Sequence, residues 1–139
     1  MRRFVLDASV SLAWFLDEPV PDLARRVRSA LENGARALVP SLWYLEVANG
    51  FAIGERRGLL NPSQSQRCLD DIQKPLADAI DSSANLVSGR LALSVARTFR
   101  LTAYDAAYLE MARQEQIPLA TLDKALIAAA ANVGVPLFR

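Results

Sequence analysis

The sequence predicts a three-layer α/β/α domain with a central parallel sheet. Three observations carry that expectation. Short apolar runs, Phe4-Val5-Leu6 first among them, are bounded by polar or turn residues, as strands buried on both faces are. Longer helical patterns with their own caps and stops separate these runs, and strand–helix alternation is the signature of a parallel sheet covered by helices. An acid, Asp7, follows the first run directly, at the carboxyl edge of the sheet where open α/β folds bind ligands.

Taken in order, Phe4-Val5-Leu6 is the first strand and Val10 to Leu16 a short helix stopped by Asp17-Glu18-Pro19-Val20-Pro21. Asp22 is placed to cap a second helix over Leu23 to Glu32, which Asn33-Gly34 ends. Ala35 to Val39 reads as the second strand, closed by Pro40. Ser41 is placed to cap a long third helix to about Arg57, with Gly58 as its stop. Asn61-Pro62-Ser63 opens a fourth helix to about Gln73. Leu76 to Ile80 is the third strand, and Ser82 or Ser83 the cap of a fifth helix through Ala96 to Arg100. Thr102 caps a sixth, Ala103 to Gln114. Pro118 to Thr121 is a fourth strand, Lys124 to Ala131 a helix, and Val135 to Phe138 a last strand.

The 139 residues suffice for one domain, residues 1–139, with a sizeable core, and at 52% hydrophobic and 22% charged the chain is not a disordered one. No apolar run reaches the ~18 residues that span a bilayer. The start, Met1-Arg2-Arg3-Phe4, lacks a long apolar leader, so a cytoplasmic protein is expected. Cys68 is alone, which excludes an intrachain disulfide and a thiolate zinc cluster. With no histidine present, histidine-based triads, histidine general bases and most catalytic zinc sites are excluded as well. Chemistry is left to carboxylates, hydroxyls and arginines, and carboxylates favour Mg²⁺ or Mn²⁺. The net charge is only +1, but of 16 basic residues only Lys74 and Lys124 are lysines, and arginine makes the bidentate phosphate contacts that lysine cannot. Glycine-rich nucleotide motifs are absent.

Four acids stand in unusual places. Asp7 and Asp123 each follow a strand, where an aspartate can also simply cap the next helix. Glu46 is the only ionisable group besides Tyr44 between Leu38 and Ile53. That helix is apolar almost all round and is expected to be buried. A lone buried carboxylate there needs a cation, either a metal or a structural partner such as Arg97 or Arg100. Asn49 lies one turn on, on the same face. Asp105 follows Thr102 by three residues, as in a capping box, yet shares its face with Tyr108, Leu109 and Ala112 and so points toward packing. In a parallel sheet these acids converge on one edge, and like charges that close stay ionised only around a cation.

The ordered set Leu6-Asp7-Ala8-Ser9, Glu46-Val47-Ala48-Asn49, Tyr104-Asp105-Ala106-Ala107-Tyr108-Leu109 and Thr121-Leu122-Asp123 resembles the PIN-domain nucleases, most closely the VapC-type toxins of toxin–antitoxin pairs. The resemblance covers essentially the whole chain. It implies a PIN-like fold and a Mg²⁺- or Mn²⁺-dependent endoribonuclease that cuts RNA, acts as a homodimer and is blocked by a cognate antitoxin lying in an apolar groove among the first four helices. Asp7, Glu46, Asp105 and Asp123 then resemble the catalytic, metal-holding carboxylates, with Asp7 and Asp105 the principal ligands. Ser9, Asn49 and Thr121 resemble their supporting polar residues. Two other readings remain open: a phosphoaccepting α/β signalling domain, which needs an aspartate after the third strand, near Asp78 or Asp81, and a catalytically silent binding module whose acids only cap helices.

Overall fold

The computed structural model describes residues 2–83 and 87–139. Strand β1 (Arg3–Leu6) lies inside a parallel sheet with β2 (Arg36–Leu38), β3 (Ile80–Asp81) and β4 (Leu119–Ala120), in the order β3-β2-β1-β4. Phe4, Val5 and Leu6 are wholly buried, as expected of a strand covered on both faces. Seven helices among the described residues flank the sheet: α1 (Ala8–Leu16), α2 (Asp22–Glu32), α3 (Leu42–Arg56), α4 (Pro62–Gln73), α5 (Gly89–Phe99), α6 (Ala103–Glu115) and α7 (Lys124–Val133). The result is the expected three-layer α/β/α arrangement. No described helix is long and apolar enough to cross a membrane.

The strand order has one consequence for the site. From β1 the chain steps to β2 and then β3 on one side, and afterwards crosses to β4 on the other. The reversal falls between β1 and β4, and a crevice opens at the carboxyl ends of two strands whose connections leave in opposite directions.

Several elements differ from expectation, each for a local reason. Leu76 to Ile80 begins as a 3-10 turn over Ala77–Ala79, and the strand starts only at Ile80. Leu76 and Ile80 are both buried at a spacing of four, and the Leu76 carbonyl accepts from the Ala79 and Ile80 amides at 3.0 and 3.2 Å. A spacing of four suits a helical turn and a strand face alike, and the two amides on the Leu76 carbonyl select the turn. Ser83 does not cap α5; its amide donates to Asp81 Oδ1 at 2.8 Å, a local turn, and Ser88 takes the cap by accepting from the Leu91 amide at 3.1 Å. Part of the expected helix, residues 84–86, lies outside the described residues.

The last strand reduces to one bridge, Leu119 to Leu137, held by amide bonds of Leu119 to Pro136 and of Phe138 to Leu119, both 2.9 Å. Pro136 has no N–H with which to extend it. Asp22 is already the first residue of α2 and serves the exposed Arg25 and Arg26 rather than the cap, and Ser41 makes no cap bond.

Helix α3 is not buried all round. Trp43, Val47, Phe51 and Gly54 face the core, whereas Leu45 is 75% exposed and Ala48 and Ala52 lie on the open side. The two glycines explain the packed side. A Cβ on Gly50 would stand 2.4 Å from Leu12 Cδ2, and one on Gly54 would stand 3.2 Å from Leu16 Cδ2, so α1 crosses α3 at a distance that larger residues would not permit.

Candidate functional site

Asp7 directly follows β1 and is 4% exposed. It sits at the N-cap position of α1 but its side chain makes no cap bond. Instead Asp7 Oδ2 accepts from Ser9 Oγ at 2.6 Å and from Thr121 Oγ1 at 2.8 Å. Each hydroxyl is itself oriented: Ser9 Oγ accepts from the Leu122 amide and Thr121 Oγ1 from the Asp123 amide, both at 3.0 Å. Two backbone N–H groups thus point two hydroxyl protons at one carboxylate oxygen, and the β1–α1 and β4–α7 corners are joined through it. Asp7 Oδ1 has no partner among the described hydrogen bonds. Capping does not account for this residue.

Asp123 does cap α7, accepting from the Leu126 amide at 2.9 Å through Oδ1. That bond places the rest of its carboxylate beside Asp7. Asp105 occupies the third position of α6. The Thr102 hydroxyl accepts from the Asp105 amide at 3.0 Å, but the return bond that would complete a capping box is not among those described. The Asp105 carboxylate is left for the crevice, next to the positive end of its own helix.

Glu46 is half-buried near the start of α3. Its partner is neither Arg97 nor Arg100. Tyr108 Oη donates to Glu46 Oε1 at 2.6 Å across 62 residues of sequence. Tyr108 is completely buried on α6, so this phenol ties the first turns of α3 to the helix that carries Asp105. The sequence placed Tyr108 on the packed face, but assigned it no link to Glu46. The only signal was a hydroxyl-bearing aromatic one turn beyond Asp105 where a plain hydrophobe would have packed.

A cavity of about 310 Å³ gathers these groups: Asp7, Ser9, Glu46, Asn49, Asp105 and Asp123 line it, with Thr121 behind Asp7. Leu12, Gly50 and Ile53 form an apolar wall. Six of the seven candidate residues thus line one space, and the seventh orients one of them.

The electrostatics follow from that crowding. Burial raises the Asp7 carboxyl above its ordinary value; Ser9 and Thr121 oppose the rise and the Asp123 charge adds to it. Glu46 is raised first by burial and further by Asp7 and Asp105, with Tyr108 pulling the other way. Burial, then the charges of Asp7 and Asp123, push Asp105 up to about 6. The Tyr108 hydroxyl is raised by burial and by Glu46, so it remains a donor at any working pH. Such a site strains to shed negative charge and would be relieved by a cation.

Residues 4–132 match the family model of the PIN domain. The chain belongs to the PIN domain family. PIN domains are in general nucleases, and as a class they use divalent metal ions. Two solved structures share the fold. PAE2754 from Pyrobaculum aerophilum is 22% identical over 92% of this chain and 84% of its own, with a TM-score of 0.69. FitAcB from Neisseria gonorrhoeae is 17% identical over 98% of this chain and 96% of its own, with a TM-score of 0.61. No curated protein sequence matches this PIN domain. The sheet that these structures share sets the switch-point crevice where the four carboxylates stand. The signalling-domain alternative loses its footing here, because Asp81 belongs to the edge strand β3, turns onto Ser83 and does not line the cavity.

Proposed function

We propose that this PIN domain is a Mg²⁺- or Mn²⁺-dependent endoribonuclease, the toxin of a toxin–antitoxin pair, which hydrolyses RNA phosphodiester bonds. The observation that carries the reading is the convergence of Asp7, Glu46, Asp105 and Asp123 on one crevice with no basic side chain among its lining residues. RNA as substrate, a cognate antitoxin and a homodimer come from the resemblance of the four motifs to VapC-type toxins. The open apolar side of α3, Leu45, Ala48 and Ala52, supports a surface for such a partner.

The donor set fits a hard divalent ion. Every polar side chain in the cavity offers oxygen, apart from the Asn49 amide nitrogen, and none is a thiolate or imidazole. Among the described residues no three carboxylates close into a cage. Mg²⁺ does not require such a cage, since it keeps several waters and is usually held by one or two carboxylates together with phosphate oxygens. When bound, the ion supplies positive charge that acidifies water and offsets charge building on the phosphodiester.

The chain's own residues do the positioning. Asp7 and Asp105 are the principal ligands; Asp7 is pinned through one oxygen by Ser9 and Thr121, leaving Oδ1 free. Asp123 and Glu46 complete the second position or orient water, Glu46 with Oε1 fixed by Tyr108. Asn49 supports the site from the next turn of α3. The test is cleavage of a mixed RNA pool with Mg²⁺, with Mn²⁺ and with EDTA, by the wild type and by folded Asp7→Asn and Asp105→Asn proteins. Metal-dependent cutting lost in both variants is expected. Cutting by Asp7→Asn at the wild-type rate, or cutting unaffected by EDTA, refutes the proposal.

A further inference from the structure

The four-carboxylate crevice has a difficulty that points elsewhere on the surface. A polyanion must reach a negatively charged pocket, and the attraction has to come from beside it. A second cavity, about 320 Å³, lies between the C-terminal part of α5 and the exposed side of α7, lined by Arg97, Arg100, Thr98 and Asn132 among others. Each of its two walls has one residue close along the chain to the crevice. Arg100 is two residues from Thr102, which holds the Asp105 amide, and Ala125, on its other wall, is two residues from Asp123. From Ala125 to Asn132 the groove follows α7 for about 10 Å.

Its charge is of one sign. No Asp or Glu occurs between Asp81 and Asp105, nor anywhere after Asp123, whereas Arg90, Arg97, Arg100, Lys124 and Arg139 all fall in those stretches. Neither α5 nor α7 carries an acid. Arg97 and Arg100 are exposed, and among the described residues neither has a carboxylate within ion-pair distance. By contrast Arg3, Arg25, Arg26, Arg28 and Arg113 are all committed to acids. Unpaired guanidinium groups beside amide and hydroxyl side chains, across from the alanines of α7 and next to Phe99, are suited to bidentate contact with successive phosphates.

We propose that the groove between α5 and α7 binds the phosphodiester backbone of single-stranded RNA, through Arg97 and Arg100, and leads it into the carboxylate crevice. The choice of RNA over another polyanion rests on the nuclease reading above; the phosphate chemistry rests on the groove itself.

The experiment measures binding apart from cleavage. A fluorescein-labelled, mixed-sequence single-stranded RNA is titrated in EDTA, across a salt series, with the wild type, Arg97→Gln/Arg100→Gln, Arg97→Lys/Arg100→Lys and Arg56→Gln/Arg57→Gln. Each phosphate contact on a single strand contributes about 0.7 to the slope of log affinity against log salt. The Arg97→Gln/Arg100→Gln protein should therefore lose about 1.4 from that slope and bind at least ~5-fold more weakly near 0.1 M salt. The lysine pair should keep most of the slope, and the Arg56/Arg57 variant should keep all of it. As exposed changes, these should leave the melting temperature within about 2 °C.

An unchanged slope in Arg97→Gln/Arg100→Gln, or a slope lost through Arg56 and Arg57 instead, overturns the groove. So does a groove variant that stops binding polyglutamate but still binds RNA, which would assign the surface to an acidic protein segment. Metal-dependent cleavage with unaltered KM in the groove variant sinks this inference while the nuclease stands. A wild type that neither binds nor cuts RNA sinks the nuclease reading, and with it the ligand named here.

Discussion

Asp105→Asn should make the metal-free protein more stable while removing its activity. Burial and the charges of Asp7 and Asp123 lift the Asp105 carboxyl from 3.8 to about 6. An acid with a raised folded value holds its proton more tightly folded than unfolded, so between about pH 4 and pH 6 the native state carries the extra proton. Stability therefore falls as pH rises through that window, and the full penalty is present at pH 7.5. At about 1.4 kcal/mol per tenfold in proton affinity the shift comes to roughly 3 kcal/mol. The group is only half-buried, and solvent screening at such a position takes about half of it, leaving ~1.5 kcal/mol. A chain of 139 residues unfolds with an entropy near 0.3 kcal/mol per kelvin, so asparagine should raise the melting temperature by about 5 °C at pH 7.5 in EDTA. The gap should close below about pH 4, where Asp105 is protonated in the folded and the unfolded chain alike. Saturating Mg²⁺ should narrow it as well, since the ion stabilises the wild type more. Scanning calorimetry at three pH values, with and without Mg²⁺, reads all of this. An Asp105→Asn protein that melts at or below the wild type at pH 7.5 without metal refutes the reasoning. A gap independent of pH refutes its titration part.

Three further outcomes are expected. Tyr108→Phe should lower kcat for RNA cleavage by at least ~10-fold with little change in KM, because a charge-assisted bond of about 1.5–3 kcal/mol that fixes Glu46 is lost; steady-state kinetics showing an unaltered kcat would remove Tyr108 from the machinery. Ser9→Ala and Thr121→Val should each cost ~1–3 kcal/mol in urea unfolding, since each strips Asp7 of a donor and leaves a backbone N–H unpaired. The double variant should depart from additivity by at least ~0.5 kcal/mol, because both hydroxyls act on the same oxygen. Gly50→Ala should gain about 1 kcal/mol of helix propensity and lose ~1–3 to the displaced Leu12, ending less stable than Gly54→Ala, whose Cβ meets Leu16 at 3.2 Å rather than 2.4 Å; the reverse order in thermal melts would contradict the close α1–α3 crossing.

The fold was legible where one force dominated. Phe4-Val5-Leu6 and the capped helices carry patterns that burial and hydrogen bonding each dictate alone, and they stand close to where the sequence placed them. The stretch from Leu76 to Ser88 did not, because the choice there is decided by competition. Leu76 and Ile80 bury equally well as the ends of a helical turn or as alternate strand residues, and the Leu76 carbonyl selects the turn. Ser82, Ser83 and Ser88 are equivalent as caps until Asp81 engages Ser83. Helix α3 misled for a related reason. Its composition reads as buried all round, but burial needs something to lie on the other side, and nothing described covers Leu45, Ala48 and Ala52.

The site divides along the same line. That Asp7 and Asp123 follow strands, and that Glu46 and Asp105 open helices, is written in local sequence; topology then carries them to one crevice because all four strands run parallel. What holds Glu46, and half of what holds Asp7, is a contact between distant segments, and the arginine that charge alone offered Glu46 as an alternative to a metal is not the partner it has. An arginine would have neutralised it, and a neutralised Glu46 would have nothing left for a cation. Tyr108 instead supplies one hydrogen bond and no charge. The carboxylate is thereby oriented while its negative charge is kept for the crevice. Arg97 and Arg100, freed from that duty, stand unpaired on the neighbouring groove. Under the proposed function, one phenol in place of an ion pair separates two tasks: the acids are held for the reacting centre, and the guanidinium groups are left for the strand that must reach it.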